Sequence, residues 1–460
     1  MKKTDVLVVG GSAAGITAAA TAKMKNPDKE VLLVRKEEKV MIPCGIPYIF
    51  GTVETTENNI LPDAGFEKAG VKIMIGEVVD VNINDKICIL ANGEEISYEK
   101  IIISTGSTPL IPKWLKGAGL KNVFVIPKNK VYLDDFQRRI KDAKNIVVVG
   151  AGFIGVEVAD EINKTGKKVT LVEKLPQILG LAFDKEFADE AEQIIKSRGI
   201  NVITGTGIKE ILGEEKVSGV MLEDGRKIDA DAVILSMGYV PNTKLAIKCG
   251  LEINERGFIK VDEYLRTNRA DVFATGDCAE KKDYFTRKTC STMLASTACA
   301  ESRVVGFNLY KLATPRSFGG TIAIYSTAIG DTAFATAGLT ETLAIREGFE
   351  IVTGVFKGPD KHPGSLPGTH MQMIKLIASK ETRILLGGEI MGGLSSGELV
   401  NVIGLAIENK MTLSSLITSQ IGTHPLLTGS PVGYPLIKAA EMACKKIVLK
   451  KTEELEKVFA

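Results

Sequence analysis

Short apolar runs bounded by glycine set the rhythm of the chain. Asp5–Val9 is followed at once by Gly10-Gly11-Ser12-Ala13-Ala14-Gly15, then by small residues to Lys25 and a second apolar run, Glu30–Val34. A continuous apolar run of this length reads as a strand buried on both faces, and the small residues after it as a helix packed closely upon it. The plan returns at Asn145–Val149, Gly150-Ala151-Gly152-Phe153-Ile154-Gly155, a helix to Thr165 and the strand Lys168–Val172. Glycines between strand and helix are the context in which a GxGxxG pattern signals a dinucleotide. Two such units predict two Rossmann-like domains in an α/β chain.

Between the units, Ile101-Ile102-Ile103 is a buried strand ending in Ser104-Thr105-Gly106-Ser107-Thr108-Pro109. After them come Ala232–Leu235 with Gly238-Tyr239-Val240-Pro241-Asn242, and then Asp271–Asp277. From about Arg316 the texture changes. Thr321–Tyr325, Glu350–Phe356, Met371–Ala378 and Ile384–Ile390 read as antiparallel strands, with helices around Glu398–Glu408 and Tyr434–Lys446. That pattern predicts a separate α+β domain, followed by a charged, solvated helix over Lys450–Ala460.

Composition narrows the function little but excludes several classes. A chain of 460 residues suits three ordinary domains. The formal net charge is +2, from 58 basic and 56 acidic side chains, so nothing points to nucleic acid. No apolar run is long enough to span a bilayer. Met1–Asp5 leads straight into a strand and a glycine turn, which reads as the opening of a fold and not as a signal peptide. The seven cysteines are dispersed, with no CxxC pair, and suit free thiols in a reducing cytoplasm. His362 and His370 lack metal-ligand spacing with each other, and no metal site is expected.

The order of these motifs resembles the pyridine nucleotide-disulfide oxidoreductases over nearly the whole chain. Pro43-Cys44-Gly45-Ile46-Pro47-Tyr48 is similar to the single-cysteine branch: coenzyme A-disulfide reductases, NADH oxidases and peroxidases, and NADH-dependent persulfide or polysulfide reductases. The resemblance implies a split FAD domain (1–115 and 246–316), an inserted NAD domain (116–245), a dimerisation domain (317–450) that makes a homodimer, and a tail (451–460).

It implies that FAD meets Gly10, Ser12, Ala14, Gly15, Val79, Ser104, Thr105, Gly106, Asp277 and a helix opened by Ala295, Ser296 and Thr297. Helix N-termini offer unpaired N–H groups and partial positive charge to the pyrophosphate. Ser12 replaces the usual middle glycine. Arg35 stands where a ribose-binding Glu normally ends the second strand; Glu37 or Glu38 takes over that contact or the contact is absent, and the plain alternative for Arg35 itself is a solvated surface charge. For NAD the resemblance implies Gly150, Gly152, Phe153, Ile154, Gly155 and Gly238. Glu173 stands about twenty residues on, at the spacing of an acid that bonds the adenine ribose and repels the extra phosphate of NADPH. Lys174 lies beside it. Glu157 resembles a family position near nicotinamide and flavin.

Cys44 decides the chemistry. A two-cysteine reductase needs a partner five positions on, where this chain has Ile49. A single thiol beside reduced flavin can cycle through a mixed disulfide, a persulfide or a sulfenic acid. At a helix N-terminus its pKa is expected to fall. Cys88, Cys249, Cys278, Cys290, Cys299 and Cys444 read as structural. His424 resembles the histidine of a His–Glu pair delivered to the partner's site, but the Glu position is Gly429, so the imidazole lacks its orienting carboxylate. Resemblance to coenzyme A-disulfide reductases, which use tyrosines of the opposite subunit, implies Tyr434 as an alternative proton donor. The expected function is an FAD-dependent, NADH-linked reductase of a small disulfide, persulfide or polysulfide. The rivals are an NADH oxidase or peroxidase, a flavin- and NADH-binding redox sensor, and a reductase of a small carrier protein that leaves Cys44 idle.

Overall fold

The structure, a computed structural model, describes residues 1–312 and 317–459, with side chains described up to Val448. The boundary expected at 316 and the side chains of the expected tail lie outside the described residues.

Two parallel sheets carry the glycine turns. In the first, Val71–Ile75, Val31–Arg35, Lys2–Val9 and Glu95–Ile103 lie side by side in parallel. The last of these has its other edge divided. Its first residues pair with the antiparallel strand Ile87–Leu90, and its last three pair in parallel with Val272–Ala274. The register brings Val9, Val34, Ile103 and Ala274 to one edge, where ligands of open α/β sheets gather. The second sheet runs Asn201–Ile203, Lys168–Val172, Asn145–Val149, Ala232–Leu235 and Val123–Val125, all parallel. Ser107–Pro109 pairs with Tyr239–Pro241 where the chain passes between the two sheets.

The third layer is an antiparallel sheet, Tyr325–Ile329, Thr332–Gly338, Leu385–Gly392, Met371–Ser379 and Ile351–Pro359, covered by helices Ser396–Glu408 and Pro435–Phe459. The chain is thus α/β with two Rossmann-like sheets and a C-terminal α+β domain. One expected strand shifts and one strand was not expected. Thr321–Tyr325 is not a strand: Ala323 has φ 56°, which interrupts extended backbone, and the strand begins at Tyr325. Thr332–Gly338 is a strand that the apolar pattern hides. Its sequence, TAFATAG, is mostly small and weakly β-forming, but helix Ser396–Glu408 packs on it, and burial decides the structure.

The domains are pinned together by charge as well as by packing. Lys375, on the antiparallel sheet, puts its ammonium 3.0 Å from Asp184 and 2.7 Å from Glu341, and also bonds Glu186. These three carboxylates are close enough together to hold a metal ion, and the lysine ammonium sits among them.

Candidate active site

Three helix N-termini converge on the sheet edges, and all three leave their first N–H groups uncapped. Ala13–Lys25 begins after Ser12, Phe153–Asn163 after Gly152 and Ala295–Asn308 after Leu294; none has a side-chain cap or an acid in its first turn. By contrast, Asn129 caps Lys130–Ile140 and Thr340 caps Glu341–Arg346. Uncapped donors with no acid in the first helical turn suit a phosphate.

The first turn is a tight cradle. A Cβ on Gly15 would lie 1.8 Å from the Gly10 carbonyl oxygen, and one on Gly10 2.1 Å from that of Ser104. Gly276 packs so closely that its Cβ would meet that of Ala14 at 2.7 Å. Gly10, Ala14, Gly15, Ser104 and Asp277 therefore share one site. The residues fit a dinucleotide: they offer backbone donors, no competing side chain and one acceptor carboxylate. Thr105 and Gly106 are tied to the second connection, with Thr105 Oγ1 donating to the Asn242 carbonyl at 2.6 Å and Asn242 N–H to that of Gly106 at 2.8 Å. Ser296 is exposed, whereas the Thr297 hydroxyl is spent on Thr321 at 2.9 Å. Val79 lies three residues beyond Gly76, whose N–H the Arg35 carbonyl holds; its side chain is exposed and its carbonyl accepts from Lys248.

Arg35 is not a solvated surface charge. It is 3% exposed, tucked under Gly11, and its guanidinium takes both oxygens of Asp63 at 2.6 Å. It also donates to the carbonyls of Glu37 and Glu38. A fork of donors matched to one carboxylate explains the burial. Sequence reasoning missed Asp63, which stands 28 residues away with no motif around it.

In the second turn a Cβ on Gly155 would lie 1.8 Å from the Gly150 carbonyl oxygen, whereas Gly152 faces open space. Glu173 accepts the N–H of Ala151 at 2.6 Å and that of Leu175 at 2.8 Å. Lys174 turns away to Glu223, 3.0 Å off. Gly238 lies just beyond strand Ala232–Leu235, and the carbonyl of Ser236 between them backs Gly150. Ile154 packs at the margin of the core, and Phe153 stacks on Tyr325 of the third layer, ring centroids 5.0 Å apart and nearly parallel.

Cys44 sits in a single 3-10 turn, Pro43–Gly45, and not at the start of an α-helix. The segment is nailed down on either side by the buried side chains of Met41, Ile46, Ile49 and Phe50, which join the core beneath the second sheet. Each such burial contributes about 1.5–3 kcal/mol. Ile49 is fully buried, so the position of a second cysteine is a packing anchor. Cys44 itself is exposed.

Charged groups surround Cys44. Lys128 Nζ lies 2.7 Å from Asp277 Oδ2 and 3.2 Å from Ser107 Oγ, and Ser107 donates to the same carboxylate at 2.7 Å. Burial pushes Asp277 up, but the Lys128 ammonium and these hydrogen bonds outweigh it and hold the carboxyl below its usual range. Glu157 accepts from Thr327 at 2.8 Å and bonds the Tyr48 hydroxyl. Burial pushes it up to about 7, against both hydrogen bonds. Cys44 differs from expectation. Partial loss of water, then the Glu157 carboxylate, raise its thiol, and Lys128 only opposes them. With no α-helix dipole behind it, the expected fall has no source.

Glu157 and Cys44 are thus brought together with Tyr48, Thr327 and Lys128, which the sequence did not single out. Tyr48 lies within the quoted motif and was open to notice. Lys128 and Thr327 carry no local signal and reach this cluster through topology alone. Among the described residues, no hydrogen bond or ion pair of this chain joins His424 or Tyr434 to Cys44. His424 is exposed and folds its ring toward the Leu426 N–H, while Tyr434 packs on the third-layer core.

Residues 4–302 match the family described as pyridine nucleotide-disulphide oxidoreductase, and residues 324–433 match its dimerisation domain. The chain is 32% identical over 450 residues to the NAD(P)H sulfur oxidoreductase (CoA-dependent) of Pyrococcus furiosus, covering 96% of this chain and 99% of that protein. It is 31% identical over 442 residues to an NADH oxidase of Enterococcus faecalis, with 91% and 95% covered. It superposes on the NAD-dependent persulfide reductase of A. fulgidus with a TM-score of 0.88 at 27% identity, over 96% of this chain and 83% of that one. No helix among the described residues is long and apolar enough to cross a membrane.

Proposed function

The chain belongs to the pyridine nucleotide-disulphide oxidoreductases, and from that premise we propose that it is an FAD-dependent, NADH-linked reductase whose lone Cys44 thiol reduces a small disulfide, persulfide or polysulfide. The observation that carries this reading is the pairing of an exposed Cys44 with a fully buried Ile49. A thiol that cannot close an internal disulfide five residues on is left free to form a sulfur–sulfur bond with a substrate.

FAD held by the first turn, the Ser104–Gly106 loop, Asp277 and the N-terminus of Ala295–Asn308 supplies two-electron transfer from NADH to sulfur. On this reading the described residues 1–115 and 246–312 are assigned to this flavin domain, 116–245 to the NAD domain and the described residues from 317 on to the dimerisation domain. Gly150–Gly155, Gly238 and Glu173 would hold NADH, and Glu157 is the acid assigned to its nicotinamide end.

The Cys44 thiolate attacks a substrate sulfur, forming a mixed disulfide and releasing one thiolate. Two electrons then cleave the new bond, returning the Cys44 thiolate and a second thiol. Overall NADH, one proton and RSSR become NAD⁺ and two RSH, so the site must also deliver a proton. In a homodimer, His424 or Tyr434 of the partner subunit supplies it. Lys128 favours the attacking thiolate, and protonation of Glu157 near pH 7 removes the charge that most opposes it.

The alternative acceptor is peroxide or oxygen, with Cys44 passing through a sulfenic acid; resemblance to a protein named NADH oxidase favours it. A stopped-flow screen of NADH-reduced enzyme with coenzyme A disulfide, polysulfide, peroxide and oxygen separates the two. Cys44→Ser should lower disulfide and polysulfide turnover by several orders of magnitude, since a hydroxyl cannot form the sulfur–sulfur bond. NADH-to-flavin reduction should stay close to wild type. Wild-type disulfide turnover in Cys44→Ser would overturn the thiol mechanism and favour a carrier-protein reductase.

A further inference from the structure

Beneath the Asp277 turn lies a charged pair that none of this chemistry uses. The side chains of Lys281 and Glu301 are both fully buried. Lys281 Nζ donates to the Gly276 carbonyl at 2.6 Å and to that of Ala279 at 3.1 Å. Glu301 Oε2 accepts the Gly276 N–H at 2.9 Å. Glu301 Oε1 stands 3.4 Å from Lys281 Nζ and has no hydrogen-bond donor. Both backbone polar groups of one glycine are thus held, each by a buried side chain of the appropriate sign.

The glycine so held needs holding. Gly276 has φ +80°, a left-handed conformation, and its Cα is pressed against Ala14 of the first-turn helix. The preceding Thr275 bonds the Ile103 carbonyl through its N–H and shares a 3.0 Å hydroxyl contact with Ser302. Glu301 and Ser302 lie on helix Ala295–Asn308, so three elements of the flavin site meet at this point. Burying two charges costs a fold more than packing apolar side chains of the same volume, so stability gives no reason for this pair. Its geometry does.

We infer that Lys281 and Glu301 are positioning residues, a buried pair that locks Gly276 and thereby aims the Asp277 carboxylate at the ribityl chain of FAD. The inference rests on the flavin reading of this site. Against the upward push of burial, and behind Lys128 and Ser107, Lys281 also adds its own pull on Asp277.

The test uses the full chain stripped of flavin, with FAD affinity read from fluorescence quenching and thermal midpoint measured on the FAD-free protein. The neutral pair Lys281→Met/Glu301→Gln leaves no unpaired charge and keeps an acceptor for the Gly276 N–H. It should melt near wild type yet bind FAD at least about tenfold more weakly, the scale of a lost charge-assisted hydrogen bond. In an Asp277→Ala background the same change should no longer alter FAD affinity, because the pair acts through Asp277. Should the neutral pair not fold, Glu301→Asp keeps both charges, withdraws the acceptor by one methylene, and should give the same loss and the same coupling. Wild-type FAD affinity in these variants, or an undiminished loss without Asp277, overturns the inference. A wild type that takes up no FAD overturns the flavin reading and this inference with it.

Discussion

The two glycine turns are the same object in backbone terms and different objects in chemistry. Gly15 and Gly155 each approach the carbonyl of the first glycine of their turn so closely that a Cβ would lie 1.8 Å from it. The turns part at the end of the second strand. In the first, Arg35 is buried and spends its fork on Asp63 and on the carbonyls of Glu37 and Glu38. In the second, Glu173 points back to the turn and holds the Ala151 N–H. Glycine sets the shape of such a turn, and the residue about twenty positions on sets what the turn can recognise. The first has an inward-facing ion pair where the second has an acceptor with lone pairs to spare.

The shared part breaks hardest. Gly15→Val or Gly155→Val forces backbone apart from backbone, which no rotamer relieves, and should cost about 3 kcal/mol or more. Gly15→Val should yield protein without bound flavin. Gly155→Val should keep flavin and lose its reduction by NADH, since the damage falls on the other turn. Gly152→Ala is the control: nothing lies within 4 Å of its Cβ position, so its thermal midpoint should match wild type while the KM for NADH rises. Equal loss of flavin in both valine variants would mean that the two turns are not independent sites.

The Arg35 side of the comparison is a smaller test. Arg35→Met leaves Asp63 and two loop carbonyls without their donor. Removing one partner of a fully buried pair costs about 3–5 kcal/mol. Asp63 is 34% exposed and can turn to water, so about 2 kcal/mol is the expected fall in unfolding free energy by denaturant titration. A double Arg35→Met/Asp63→Leu variant should recover most of it. An unchanged stability in Arg35→Met would make the ion pair incidental and return Arg35 to the cofactor.

How far the sequence reaches follows the same division. The turns were legible because close backbone approach admits only glycine, and a requirement that strict leaves a spaced pattern. Cys44 and Ile49 were legible as a thiol without a partner, but nothing in the residue type foretold that Ile49 anchors the segment in a core beneath another sheet. Arg35 invited a wrong alternative because its partner is 28 residues off and unremarkable in sequence. The same holds for Lys128 beside Asp277 and for Lys281 with Glu301. Long-range polar pairs obey no periodicity, so only the folded chain reveals them. The strand Thr332–Gly338 was hidden for another reason: space under a helix calls for small residues, which locally look like anything.

The smallest effect tests whether the acid at the second strand end recognises its ligand. Each Glu173 oxygen already accepts one backbone N–H, at 2.6 and 2.8 Å, and each keeps a further lone pair for a ribose hydroxyl. A phosphate on that ribose would instead meet a negative charge. Lys174, the adjacent cation in sequence, is drawn 3.0 Å from Glu223 and faces away. NADH should therefore exceed NADPH in kcat/KM by at least about tenfold, or ~1.4 kcal/mol. Glu173→Gln keeps an oxygen for one backbone N–H but loses the charge, so NADH should lose efficiency while NADPH gains. Their ratio should fall toward one with flavin content unchanged. Arg35→Met should leave that ratio where it was, because its charge belongs to the other turn. A ratio that ignores Glu173→Gln would place nucleotide choice in the loops beyond the strand, and the contrast between the two strand ends would then be one of packing alone.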